Sequence, residues 1–286
     1  MRLSVIVACR NDEATLPRQL DALAAQQWPE PWEVIVSDNG STDGSRAAAE
    51  RFRARIPAFQ VVDSSDRRGP AHARNVAVRH ARGEALAFCD ADDEVAPGWV
   101  AAMGRALAKH DFVACRMDLA KLNPPGILRG RPPQNDGVQA FTYPPFLPHA
   151  GGGTLGIKRA IHETVGGFDE SLRLLSDTDY CWRVQLTGVS LEFVPDAVVY
   201  VELRHSLKGM FRQARGWGEY DVLLYKRYQS RGMPRLAWKS GLAAWRSLLR
   251  NLPRIRDEEK RLDWVWNFGW RLGRLQGSIK HRVVAL

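Results

Sequence analysis

Short apolar runs alternate with amphipathic stretches over the first 116 residues. Leu3 to Cys9 is apolar apart from Ser4 and β-branched enough for a central parallel strand buried on both faces. Leu16, Leu20 and Leu23 then recur at helical spacing up to Trp28-Pro29. Trp32 to Ser37 predicts a second buried strand, a helix begins near Ser45, and Phe59 to Val62 is a short third strand. Gly69-Pro70 opens a helix to about His80, because proline is pre-organised for a first turn. Glu84 to Cys89 is a fourth strand, Trp99 to Lys109 a helix, and Phe112 to Arg116 a fifth strand. Strand and helix in strict alternation predict a parallel sheet covered on both faces.

The pattern changes after Met117. Asn123 to Gly153 has no period and is rich in Pro and Gly, with Phe141, Tyr143 and Phe146 among them. A loop this long inside a domain is usually functional or disordered. Helices follow from about Lys158 to Val165 and from Asp177 to Thr187, the second closed by Gly188. Leu191 to Val194 and Ala197 to Val201 read as two strands. From Leu207 the chain is mostly helical and basic, with Trp217, Trp238, Trp245, Trp264, Trp266 and Trp270 set among Arg and Lys. The predicted division is 1–205 (halves about 1–117 and 118–205) followed by a helical region, 206–286.

Three strands end in polar groups: Arg10-Asn11-Asp12, Asp38-Asn39, and Asp90-Ala91-Asp92-Asp93. In a doubly wound sheet such ends line one crevice, where ligands bind. Three carboxylates within four positions repel one another unless a positive charge joins them. A hard divalent cation such as Mg²⁺ or Mn²⁺, shared between carboxylate and phosphate, is the economical partner. The plainer alternative is an acidic turn capping the next helix, with Asp93 before Ala96-Pro97-Gly98.

Composition narrows the class. With 45% hydrophobic and 26% charged residues the chain is an ordinary globular protein. Its net charge of +9 favours anionic partners: nucleotide phosphates, acidic lipid or nucleic acid. Nucleic acid recedes because no recognition motif accompanies the charge. Cys9, Cys89, Cys115 and Cys181 show no paired spacing, which predicts reduced, buried thiols and a cytosolic setting. No leader and no membrane span are expected from the pattern.

Six segments, in order from Leu3 to about Gly188, carry a resemblance: Ser4-Val5-Ile6-Val7-Ala8-Cys9-Arg10-Asn11, Asp38-Asn39-Gly40-Ser41-Thr42-Asp43-Gly44, Gly69-Pro70-Ala71-His72-Ala73-Arg74-Asn75, Asp90-Ala91-Asp92-Asp93, Gly166-Gly167-Phe168-Asp169-Glu170, and Ser176-Asp177-Thr178-Asp179-Tyr180-Cys181-Trp182-Arg183. The set resembles the inverting family 2 glycosyltransferases. The resemblance implies a glycosyltransferase-A type α/β fold: a Rossmann-like, mostly parallel central sheet flanked by helices, here with a C-terminal helical appendage. It implies transfer of one sugar from a nucleoside-diphosphate sugar, UDP-linked by preference, to a hydroxyl acceptor. It assigns donor contacts to Ala8, Arg10, Asp38, Arg67, Arg74 and Asp90, and a Mn²⁺ or Mg²⁺ ion to Asp92, with His205 as a further ligand. Asp177 takes the place of the general base, beside Ser176 where a glutamate is usual. Gly152, Gly153 and Asp179 fall on the acceptor side.

Each assignment has a structural counterpart. Asp38 is also placed for a helix or Asx cap, Arg67 with Arg68 for a solvated surface pair, and Gly151 to Gly153 for a hinge. Asp177 and Asp179 lie two apart and face different ways on a helix, so Asp179 is better suited to anchoring the backbone or Arg183. Gln213-Ala214-Arg215-Gly216-Trp217 sets its arginine one place early against the motif of processive synthases, which predicts a single transfer. The basic tail reads either as helices lying on an anionic membrane, giving a cytoplasmic protein peripheral on the inner face, or as an appendage packed through its tryptophans. Two other functions use the same crevice: a nucleotidyl or phosphoryl transferase, which lacks here the Gly-rich loop and lysine it needs, and a non-catalytic scaffold that binds nucleotide-sugar.

Overall fold

The structure is a computed structural model that describes residues 2–124, 134–203, 206–236 and 238–285. The chain folds as two compact units. The first holds 2–121, 134–139 and 148–202, and the second 122–124, 140–147, 203, 206–236 and 238–285.

The first unit is built on one sheet. Its elements are β1 (Leu3–Cys9), α1 (Leu16–Ala24), β2 (Trp32–Asp38), α2 (Ser45–Glu50), β3 (Phe59–Asp63), α3 (Pro70–His80), β4 (Ala85–Asp90), β5 (Glu94–Val95), α4 (Trp99–Lys109), β6 (Phe112–Asp118), β7 (Leu155–Lys158), α5 (Arg159–Thr164), α6 (Ser176–Gln185) and β8 (Glu192–Tyr200). The spatial order is β3-β2-β1-β4-β7-β6-β8-β5. β3, β2, β1 and β4 run parallel, as do β6 and β8, while β7 is antiparallel to both its neighbours and β5 is antiparallel to β8. The α/β expectation therefore holds, with β7 and β5 as additions to it.

Alternation along the strands feeds two cores. Leu3, Val5, Val7 and Cys9 of β1 pack with Leu16, Leu20 and Leu23 of α1 and Trp99, Met103 and Leu107 of α4. Ile6 turns the other way and joins Leu86, Phe88, Phe168 and Tyr180 beneath α3 and α6. Each such side chain contributes roughly 1.5–3 kcal/mol of burial. This fixes the sheet plane, because a one-residue slip would turn every apolar side chain to the wrong face.

Two predicted elements differ. The strands expected at Leu191 to Val194 and Ala197 to Val201 are one strand, β8, whose pairing jumps from Cys115 opposite Val194 to Arg116 opposite Val198. Pro195 lacks the N–H a regular ladder needs, so Pro195-Asp196-Ala197 is accommodated as a bulge. Asp93 does not cap α4, which starts after Gly98 in a left-handed conformation (φ 81°). Asp93 is buried and accepts the Glu202 backbone N–H at 3.1 Å.

The second unit holds α7 (Leu207–Tyr228), α8 (Trp238–Arg250) and α9 (Glu258–His281). Glycine brings α7 and α9 together: a Cβ on Gly218 would strike the Trp270 carbonyl, and one on Gly273 the Arg215 carbonyl. The tail tryptophans are largely absorbed in this packing. Trp217 meets Trp266 edge-on at 5.4 Å, Trp264 stacks on Phe268, and Trp270 donates to Asp221 at 2.6 Å. Among the described residues no helix is long and apolar enough to cross a membrane.

Candidate active site

The register of the parallel strands brings the predicted residues to one rim. Ala8 lies opposite Asp90, and Cys9 opposite Asp38. Two loops over this rim are laced together. The Asn11 side chain accepts the Thr42 N–H at 2.8 Å, Glu13 accepts that of Gly44 at 2.9 Å, and the Ser45 hydroxyl accepts that of Asp12 at 2.7 Å. Much of the segment from Asp38 to Gly44 thus serves to stiffen the rim.

Asp38 is 6% exposed. One carboxylate oxygen accepts the Ser41 N–H at 3.0 Å, the Asx arrangement, and the other faces Arg46 at 3.8 Å. Arg10 is exposed, and its backbone N–H donates to Asp12 at 2.7 Å. Arg67 is not a loose surface group: it reaches Glu170, Nη1 to the carboxylate at 3.2 Å and Nη2 to the carbonyl at 3.0 Å.

Glu170 is a hub. It also accepts from Asn75 and His72, each at 2.8 Å, while His72 donates its second ring N–H to Asp66 at 2.8 Å. Burial alone would lower the His72 pKa; the bonds to Asp66 and Glu170 outweigh it and raise it. Asn75 holds Phe168 from both sides, donating to its carbonyl and accepting its N–H, each at 2.9 Å. Helix α3 and the Gly166 to Glu170 turn are thereby one rigid piece.

The centre of the site is a chain of contacts from Asp90 to Asp177. Arg74 is buried and donates to Asp90 at 2.5 Å. Gly152 and Gly153 lie directly on this pair: a Cβ at Gly152 would stand 2.7 Å from Arg74 Nη1, and one at Gly153 2.7 Å from Asp90 Oδ2. The Gly152 N–H in turn donates to Asp177 Oδ2 at 3.0 Å, and Thr178 N–H to Oδ1 at 2.9 Å. Asp177 sits at the start of α6, held there by Leu175 in a left-handed conformation (φ 55°). The glycines, expected on the acceptor side, are therefore the seam between the Arg74–Asp90 pair and Asp177.

Asp179 is turned away from that seam. Its carboxylate is fully buried and pairs with Arg183 at 2.7 Å, which also donates to the Val165 and Gly167 carbonyls. It braces the turn, as an anchor does. His205 lies outside the described residues.

Beside Asp90 the charges are unbalanced. Asp92 keeps contact with solvent, yet its carboxyl is pushed up to about 7 by burial among protein atoms and by the nearby Asp90, Asp12 and Glu202. Asp12 is raised as well, by burial first and then by Asp43 and Asp90. Arg18 partly balances the group, donating to the Asp92 carbonyl and pairing with Glu202 at 2.7 Å. Among the described residues no three His, Cys, Asp or Glu side chains form a ready-made metal cage. In the sequence Asp12 shows only as part of a polar strand end, and Glu202 escaped the sequence reading because it is 110 positions from Asp92. His149 escaped it too. Burial holds its ring well below the ordinary value, against the pull of nearby Asp177.

The sequence model of "Glycosyl transferase family 2" matches residues 4–166, more than half of the chain, and the chain belongs to that family. A relative from Bacillus subtilis (strain 168), "Uncharacterized glycosyltransferase YfnE", is 41% identical over 92 residues, covering 32% of this chain and 23% of its own. The chain spans a third or less of the first curated relatives it matches, between 17% and 33% of their length. Among solved structures, the mannosyltransferase PcManGT from Pyrobaculum calidifontis, in complex with GDP-Man and Mn²⁺, superposes with a TM-score of 0.62 at 22% identity, over 99% of this chain and 76% of that one. Residues 1–349 of S. aureus TarS, in complex with UDP-GlcNAc, superpose with a TM-score of 0.58 at 18% identity, over 100% and 93%. These likenesses fix the fold as glycosyltransferase-A type.

Proposed function

We propose that this protein transfers one sugar from a nucleoside-diphosphate sugar, UDP-linked by preference, to a hydroxyl acceptor, with inversion in a single displacement. The observation that carries the reading is the contact chain Asp90–Arg74–Gly152–Asp177, which couples the donor-side motif to the proposed base through one backbone N–H. A single displacement needs donor and base in fixed relation, since misplacement by about 1 Å costs on the order of 10²-fold in rate.

Asp38 would accept the imide N–H of the base; its carboxylate has lone pairs beyond those used by Ser41. Arg74, buried and fixed, holds Asp90 towards the ribose. Asp177 is oriented by N–H donors on both oxygens and would take the proton of the acceptor hydroxyl on a remaining lone pair. The surroundings of Asp92, crowded by carboxylates with only Arg18 in partial compensation, fit a divalent cation. Mn²⁺ or Mg²⁺ held by Asp92 would neutralise charge on the departing nucleoside diphosphate. The complexes of the solved relatives, with UDP-GlcNAc and with GDP-Man and Mn²⁺, support a nucleoside-diphosphate sugar as donor. Four buried, unpaired thiols suit a reaction in the reducing cytoplasm.

Calorimetry of UDP- and GDP-sugars with and without Mn²⁺ tests this reading. Wild type should bind one donor tightly only with the cation, and Asp92→Ala should lose that dependence. Identical affinity with and without Mn²⁺ in both proteins would refute the assignment of Asp92.

A further inference from the structure

Helix α8 presents an outward face that the fold does not use. Gly241 and Leu248 turn inward and are buried, whereas Leu242 is 39% and Leu249 66% exposed, with Leu252 just beyond at 44%. Leu242 and Leu249 are seven apart, two turns along the same face, and Trp245 lies half-buried beside them. A soluble surface rarely groups large apolar side chains in this way without a partner.

Along α8 itself the charge has one sign, although Asp257 and Asp263 lie nearby on the following segment. Between Asp221 and Asp257 the chain carries nine Lys and Arg and no carboxylate. Lys239, Arg246, Arg250 and Arg256 are all exposed. Leucines with a tryptophan at their margin, framed by cations, match a negatively charged apolar boundary: acyl chains beneath anionic headgroups. A second copy of this chain is a poor occupant, since two such faces would bring like charges together.

We propose that α8 is a membrane-docking helix that lies in the interface of an anionic bilayer, inserting Leu242, Leu249 and Leu252 while Lys239, Arg246 and Arg250 contact lipid phosphates. Docking itself does not depend on the transferase reading; its consequence rests on that reading, because a chain held at a bilayer surface would draw on acceptors presented there.

Cosedimentation of the full chain with vesicles tests it. Vesicles of phosphatidylcholine with 30 mol% phosphatidylglycerol should bind wild type at least about tenfold more tightly than pure phosphatidylcholine vesicles, and the difference should shrink at high salt. The doubly substituted Leu242→Ser/Leu249→Ser protein should bind the anionic vesicles at least about tenfold more weakly, the lower bound for loss of two inserted leucines. Both leucines are exposed, so folding is retained, and circular dichroism verifies it. Leu186→Ser, which removes an apolar group 42% exposed on the first unit, serves as control and should bind as wild type does. Equal binding by wild type and the double variant would overturn the proposal. So would a concentration-dependent dimer in sedimentation velocity that the double variant abolishes, because the face would then be an interface between copies.

Discussion

Replacing Gly152 by alanine perturbs the seam of the site with a single methyl. The added carbon would meet Arg74 Nη1, Cζ and Nη2 at 2.7, 2.8 and 2.8 Å. Ordinary contact begins near 3.4 Å, so the guanidinium must withdraw by about 0.6–0.7 Å (3.4 less 2.7 to 2.8). A free arginine would yield, but Arg74 is 5% exposed and bound to Asp90 at 2.5 Å. The expected cost is that of overpacking, about 1–3 kcal/mol, with part of a charge-assisted hydrogen bond lost as well. For a chain of this size that is a fall in Tm of about 2–10 °C. Donor affinity should fall with it, because Asp90 loses its fixed partner. Differential scanning calorimetry and donor titration read both effects. Gly137→Ala is the matched control, since a Cβ there meets nothing within 4 Å. A Gly152→Ala protein with the melting point and donor affinity of wild type would refute the reasoning.

Two further outcomes follow from other parts of the molecule. Asn75→Ala removes the clamp on both backbone groups of Phe168 and one bond to Glu170, and stability in urea should fall by about 2–4 kcal/mol; a loss below about 0.5 kcal/mol would show that the turn is held by other means. Burial pushes the Asp221 carboxyl up to about 6, above its unfolded value of 3.8, with Arg274 and Trp270 opposing. The native state then keeps the proton longer than the unfolded one, so this group costs stability at neutral pH and the cost is relieved as pH falls through about 6. Wild type should accordingly gain about 2 kcal/mol relative to Asp221→Asn between about pH 7.5 and 4.5; a difference constant with pH would contradict the shift.

What could be read from the sequence was what short-range pattern encodes. β1, β2 and β4 are mostly apolar runs, β2 and β4 ending in carboxylates and β1 followed by Arg10-Asn11-Asp12, and both the strands and their shared rim follow from that. β7 escaped because four residues, Leu-Gly-Ile-Lys, carry no period, and its antiparallel direction is set by neighbours far away in the chain. The bulge in β8 looked like a break because a proline inside a run usually ends a strand. At the site, the residue types pointed to Asp90 and Asp92, and the family resemblance to Asp177. The partners that fix them did not show: Gly152 bonding Asp177, Arg67 reaching Glu170, and Glu202 crowding Asp92 are tertiary contacts between distant segments.

The account turns on Asp177 as the proton acceptor, and Asp177→Asn tests it most directly. The amide retains an oxygen for the Gly152 N–H but cannot take a proton from the acceptor hydroxyl. Donor binding in the presence of Mn²⁺ should stay within a few-fold of wild type, while kcat for sugar transfer falls by about 10²–10⁴. Turnover close to that of wild type, with donor binding intact, would contradict the account.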